Sequence, residues 1–212
     1  MRKFKKEKIE IILRPEEKRD YQIVENLTRE AFWNLYQPGC DEHFVLHNLR
    51  DSACFITELD YVAELNGLVV GNIVYSKGKV VADNGYEHQV IIFGPISVLP
   101  DHQGMGIGTK LIKHTLKIAK RLGFGAVIIF GNPRYYQLFG FKNAKEFGIR
   151  TSGGQNFDAF MAKALTRKGL DGISGRFFED HVFHVNQEEL RAFDQTFPPK
   201  KKEVTDTQLR HV

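Results

Sequence analysis

The chain is poor in cysteine: Cys40 and Cys54 are its only two, and no CxxC pair occurs. That excludes a disulfide framework and fits a reducing compartment, so two free thiols are expected. Long apolar runs are absent too. No stretch approaches the roughly 18 residues of a membrane span, and the opening Met1-Arg2-Lys3-Phe4-Lys5-Lys6 lacks the apolar core of a signal peptide. No membrane partner and a cytoplasmic location are expected. Neither an internal repeat nor a Gly/Ser-rich or Pro-rich linker divides the chain before Thr166, which speaks against a multidomain array. Charge of one sign is scarce. Thirty Lys and Arg face 26 Asp and Glu, a net +4, and the densest basic pieces, Lys3 to Lys8 and Lys200-Lys201-Lys202, sit near the two ends, where solvated termini account for them. With no recognisable motif behind the charge, a nucleic-acid partner is disfavoured.

What is present is core-forming material: 42% hydrophobic residues and seventeen Phe in 212 residues, enough for one folded domain with an appendage. Residues 8–14 read as a strand ending at Pro15. A helix is expected from there, because Glu16, Glu17 and Asp20 complement its dipole and Tyr21, Val24, Leu27, Ala31, Phe32 and Leu35 recur at helical spacing before Pro38-Gly39. A weaker helix follows at 41–50, then strand pieces near 53–58 and 60–65. Asn66-Gly67 is a hairpin turn into Leu68 to Ser76. Val90 to Leu99 reads as a strand covered on both faces. The clearest helix spans 106–122, with Leu111, Ile112, Thr115, Leu116, Ala119 and Leu122 on one face. A short strand at 126–130, a short helix at 133–139 and a strand or short helix at 157–165 complete the domain. The order predicts an α/β fold, a mixed central sheet flanked by helices.

The segment Ile96-Ser97-Val98-Leu99-Pro100-Asp101-His102-Gln103-Gly104-Met105-Gly106-Ile107-Gly108-Thr109 passes from a buried strand through a turn into that helix. Three alternating glycines would weaken a purely structural first turn, each lying roughly 1 kcal/mol below Ala. They instead bare consecutive backbone N–H groups at the positive end of the helix dipole, a site for a phosphate. No acid in the first turn neutralises it. The spacing fails the dinucleotide fingerprint GxGxxG, which meets Thr109 where its third glycine belongs, and it fails the P-loop, because Gly108 is followed by Thr109-Lys110.

What remains is Gln103-x-x-Gly106-x-Gly108 after Val98-Leu99-Pro100, which resembles the acetyl-CoA signature of the GNAT superfamily of N-acetyltransferases. A second stretch, Asn132-Pro133-Arg134-Tyr135-Tyr136-Gln137-Leu138-Phe139-Gly140-Phe141, resembles the superfamily's second signature, and the two lie one helix and one strand apart. The resemblance covers roughly residues 90–142. It implies a single GNAT-like domain over residues 1–165, and direct acetyl transfer from acetyl-CoA to a primary amine of a small molecule or peptide, with no metal. By the same resemblance Ile96 and Val98 offer backbone groups to the pantetheine arm. Gln103, Gly104, Met105, Gly106, Ile107, Gly108 and Thr109 hold the pyrophosphate, Asn132 contacts the arm, and Tyr136 protonates the leaving sulfur. A non-catalytic acyl-CoA-binding sensor is the alternative, and a homodimer is left open.

The strand where some relatives carry a His or Glu base, Val90 to Ile96, has no titratable side chain. Glu87, His88, Glu58, Asp60 and Glu64 lie nearby and read as surface residues, and water-mediated deprotonation is equally open. His43-x-x-x-His47 lacks the glutamate of HExxH, and His181-x-x-His184 has no Cys companion, so neither reads as a metal site. The acceptor is expected around Trp33 to His47 and Tyr61 to Tyr86, where Trp33, Tyr36, Asp41 and Glu42 could hold a cation. Residues 166–212 are expected to form an extension packed on the domain: a strand over 175–185, a short helix capped by Asn186, Phe177, Phe178, Phe183 and Phe193 as anchors, and a loose end after Pro198-Pro199.

Overall fold

The computed structural model describes residues 10–208; Lys3 to Lys8 and the start of the expected first strand lie outside them. One mixed sheet runs β1 (Ile11–Pro15), β2 (Tyr61–Leu65), β3 (Leu68–Val81), β4 (Glu87–Val98) and β5 (Ala126–Phe130) in spatial order. It continues through β8 (Phe160–Ala164) to β6 (Lys142–Asn143), while β9 (Gly175–Phe178) pairs with both β3 and β7 (Ile149–Thr151). All neighbours along the main path are antiparallel except β4 and β5, which are joined by a crossover through α3 (Ile107–Arg121). Period-2 alternation divides the core. Ala63, Val70, Ile73 and Tyr75 face Leu111, Ile112 and Ala119 of α3. Val62, Val69 and Val74 face Val24 and Leu27 of α1 (Tyr21–Phe32) and Leu46 and Leu49 of α2 (Glu42–Leu49) on the other side. Among the described residues no helix is long and apolar enough to cross a membrane.

Several expected boundaries shift. Pro15 ends β1, paired with Tyr61, rather than opening a helix. The Asp20 carboxylate, held by Arg14 at 2.6 Å and by the Glu17 N–H at 2.9 Å, fixes a single turn before α1 begins at Tyr21. That helix stops at Phe32, short of Leu35, because Asn34 takes a positive φ of 59° and its side-chain oxygen accepts from the Gly39 N–H at 2.8 Å. The strand expected at 53–58 reduces to a bridge between Phe55 and Ser76 and a turn at Thr57–Leu59. β3 runs on to Val81, five residues past the expected end, because β9 and β4 supply partners there.

Beyond residue 165 the strand is only Gly175–Phe178; Asp180 then caps a turn at His181–Phe183. Asn186 caps α5 (Gln187–Asp194), accepting from the Glu188 and Glu189 N–H groups. Phe177 is 2% exposed against the sheet, and Phe193 packs on His43, Phe44 and His47 of α2. Residues 200–208, expected to be loose, are tied down. Trp33 Nε1 donates to the Lys201 carbonyl at 2.9 Å, Lys200 pairs with Glu30 at 2.7 Å, and Thr205 and Gln208 hydrogen-bond the Asn34 carbonyl.

Candidate active site

Two features open a cleft on the sheet. β4 pairs with β5 only through Ile91 and Ile92, so from Phe93 to Val98 its edge on that side has no strand partner, while β3 continues to cover the other edge. Past the end of β4, Gly104 and Gly106 adopt φ of 75° and 79°, a conformation an L side chain reaches at a cost of roughly 1–2 kcal/mol. They turn the chain so that Gly106 is the N-cap of α3 without supplying a side chain to cap it. No acid lies in the first turn, so the N–H groups there face outward with the helix dipole unopposed. A Cβ at either glycine would meet nothing within 4 Å; the space in front is free.

That space is a cavity of about 470 Å³ lined by Ile96, Val98, Gln103, Gly104, Gly106, Ile107, Gly108 and Thr109, with His102, Tyr135 and Tyr136. Nine of the residues singled out in the sequence, Tyr136 included, thus meet there. Ile107 is 1% exposed, its side chain in the core, so only its backbone faces the cavity. Gln103 spends its side-chain amide on the Val98 carbonyl at 3.1 Å, which ties the turn to the strand end. Met105 does not line the cavity and is half-exposed. Asn132 lies in the neighbouring cavity and caps α4 (Pro133–Tyr136), its side-chain oxygen accepting from the Arg134 N–H at 3.0 Å.

Tyr136 lines both cavities and is 8% exposed, packed among Phe93, Tyr135, Phe139 and Phe141. Burial pushes its phenol well above the ordinary range, with Tyr135 and Tyr36 adding to the shift, so it stays neutral at any physiological pH. Tyr135, not singled out from the sequence except as packing, shares both cavities, and its hydroxyl lies 3.4 Å from the Thr109 hydroxyl, bridging α4 to the start of α3. Gly71 of β3 was also missed. A Cβ there would come within 2.9 Å of Ile107 Cγ2 and 3.1 Å of the Ser97 carbonyl, so this glycine lets the first turn of α3 sit against the sheet.

The second cavity, about 550 Å³, continues from Tyr136 along the open edge of β4. Tyr36, Asp41 and Glu42 line it, as do Glu179 and Phe183 from the C-terminal segment. Trp33 does not, being stacked under Arg29 at 4.2 Å, nor does any residue of Tyr61 to Tyr86. Burial, then the neighbouring Asp41, push the Glu42 carboxyl up to about 7, and burial raises Glu179. The other acids considered are engaged elsewhere: Glu87 with Lys79 at 2.6 Å, Glu64 with Arg14 at 3.0 Å, Asp60 with Asn72 at 3.1 Å. Glu58 and His88 line neither cavity. His43 is buried against Asp194 and His47 pairs with Glu25. Among the described residues no group of three or more His, Cys, Asp or Glu is gathered as for a metal ion.

Comparison with known proteins agrees with this geometry. The model of the acetyltransferase (GNAT) family matches residues 16–141. The uncharacterized N-acetyltransferase YhbS of Escherichia coli K12 is 27% identical over 131 residues, 62% of this chain and 76% of that protein. The crystal structure of Escherichia coli YhbS in complex with CoA superposes with a TM-score of 0.76 at 24% identity, over 86% of this chain and 97% of that one. A GNAT family acetyltransferase from Brucella melitensis in complex with acetyl-CoA gives 0.66 at 27% identity, over 83% and 99%.

Proposed function

The chain belongs to the GNAT family of N-acetyltransferases, and from that premise we propose that it transfers the acetyl group of acetyl-CoA directly to a primary amine, with the two cavities as donor and acceptor sites joined at Tyr136. The observation that carries the reading is the uncapped, acid-free helix start at Gly106, opening onto the unpartnered edge of β4. The first turn of α3 is suited to the pyrophosphate, since its backbone N–H groups need an acceptor and its dipole favours negative charge. The exposed edge from Phe93 to Val98 is suited to an extended amide-bearing arm, which can hydrogen-bond to it as a further strand does. The catalytic residues lie in the first 165 residues, and residues 166–212 complete the acceptor side through Glu179 and Phe183.

In the reaction the amine nitrogen attacks the thioester carbonyl carbon; the new C–N bond forms, the C–S bond breaks, and the electron pair leaves on sulfur. Glu42 takes the proton that the amine must lose, a role that suits a carboxylate at about 7, half ionised at neutral pH. Tyr136 gives its proton to the departing thiolate and is restored from solvent.

Thiol release from acetyl-CoA with a panel of amines tests this. Tyr136→Phe keeps the ring packing and removes the proton, so kcat should fall about ten-fold or more while acetyl-CoA affinity holds, general acid contributions being about 10²–10⁴-fold. In the wild type kcat should rise with pH through about 7 and flatten, a limb that Glu42→Gln removes. Acetyl-CoA binding without thiol release from any amine would instead identify a sensor.

A further inference from the structure

We propose that the acceptor is a primary amine on an apolar, carboxylate-free body, an arylalkylamine or alkylamine with a single ammonium. This rests on the acetyltransferase reading above and names the substrate class of its second site. The 550 Å³ cavity has two chemistries and lacks a third. Asp41, Glu42 and Glu179 present three carboxylates. The rest of its wall is dominated by rings and apolar side chains, among them Phe32, Tyr36, Phe93, Phe130 and Phe183. No Lys, Arg or His is among the described residues that line it.

A ligand with an ammonium end meets charge it can neutralise, and the aromatic faces suit both a cation and an apolar body. A free amino acid brings a carboxylate that finds no cationic partner and is set beside Asp41, Glu42 and Glu179, a like-charge juxtaposition that disfavours it. A peptide needs partners for its backbone amides, and the open β4 edge that could supply them is the one assigned above to the arm of acetyl-CoA, which leaves buried amides unpaired. A diamine offers the rings of Phe32, Phe93, Phe130 and Phe183 only a short methylene chain, less apolar surface than an arylalkylamine brings.

The acids come from two places: Asp41 and Glu42 at the start of α2, and Glu179 from the turn after β9. The second wall stands where it does because α5 is anchored. Asp194 takes Arg29 Nε at 2.7 Å and lies 3.3 Å from His43 Nε2, and Phe193 covers the α2 face just behind Glu42. Burial holds the Glu42 and Glu179 carboxyls up, and an ammonium pairing with them offsets that shift.

The test compares kcat/KM for thiol release with 2-phenylethylamine, hexylamine, phenylalanine, 1,4-diaminobutane and a short peptide with a free N-terminus, in the wild-type full chain and in Glu179→Gln. We expect 2-phenylethylamine to exceed phenylalanine by about 100-fold or more, the cost of one unpaired like charge. We expect Glu179→Gln to lower kcat/KM for 2-phenylethylamine about ten-fold, mainly through KM, with acetyl-CoA affinity unchanged. Preference for phenylalanine, the diamine or the peptide, or a Glu179→Gln variant indistinguishable from wild type, overturns the inference while the acetyltransferase reading stands. Failure of acetyl-CoA to bind, or binding without thiol release from any amine, overturns that reading and the inference with it.

Discussion

Replacing Gly106 by Ala separates backbone strain from ligand recognition. In the free protein the new methyl meets nothing within 4 Å, so the cost is conformational. Forcing an L residue to a φ of 79° costs roughly 1–2 kcal/mol, and at such an incompatible φ the strain outweighs the gain from the narrower unfolded ensemble of Ala. At about 2–4 °C per kcal/mol for a chain of this size, the melting temperature should fall by about 2–8 °C. Gly123, at the other end of α3, is the matched control: its φ is 90° and a Cβ there also meets nothing within 4 Å. Gly123→Ala should therefore lose similar stability. The two variants part company with ligand. At 100 times its Kd, acetyl-CoA stabilises a binding-competent protein by about 2.7 kcal/mol, which is about 5–11 °C here. Gly123→Ala should keep that increment, whereas Gly106→Ala should lose most of it, because its methyl stands where the phosphate must approach the N–H groups. Thermal unfolding with and without acetyl-CoA reads both effects in one experiment. An equal ligand-induced shift in the two variants would refute the placement of the phosphate site.

Two predictions concern the anchor behind the acceptor cavity. Asp194→Ala leaves the Arg29 guanidinium, whose side chain is 1% exposed, without its carboxylate; broken buried pairs cost about 3–5 kcal/mol, and the partial exposure of Asp194 places this one near 3. Urea unfolding should register that loss while acetyl-CoA affinity, set at the far cavity, stays constant; a change within about 0.5 kcal/mol would mean that the extension does not depend on this pair. His43 is held down to about 4 by burial, with Arg29 and Lys202 acting in the same direction and Asp194 against it. Its folded value lies below the ordinary 6.5, so its contribution is intact above pH 6.5 and is lost as pH falls toward 4. Between pH 7.5 and 5 wild type should lose about 2 kcal/mol more than His43→Gln, and parallel pH dependences in the two proteins would contradict the buried neutral imidazole.

The glycine turn was legible because its cause is local. Gly104 and Gly106 are explained by positive φ and the open space in front of them, both properties of a few consecutive residues. The helix that follows has an apolar face readable at period 3.6, and Asn186 caps α5 as its side chain dictates. Where the reading slipped, the deciding group was distant. Pro15 belongs to a strand because Tyr61 pairs with it, and β3 outruns Ser76 because β9, almost a hundred residues later, lies beside it. Tyr135 reads as core packing in the sequence, whereas in the fold its hydroxyl lies across from Thr109.

The acceptor side shows the same division. Asp41 and Glu42 were visible as acids near aromatics, but nothing in their local sequence brings Glu179 and Phe183 to the same cavity. That meeting depends on β9 adding to β3 and on Asp194 of α5 reaching Arg29 and His43, contacts that span 165 and 151 positions of chain. Spacing and residue type therefore determined the glycine turn proposed as the donor site, because such a cradle is built from one turn of backbone. Only the tertiary structure decided the acceptor cavity and the perturbed Glu42, since burial and carboxylate proximity arise when separate segments exclude water together.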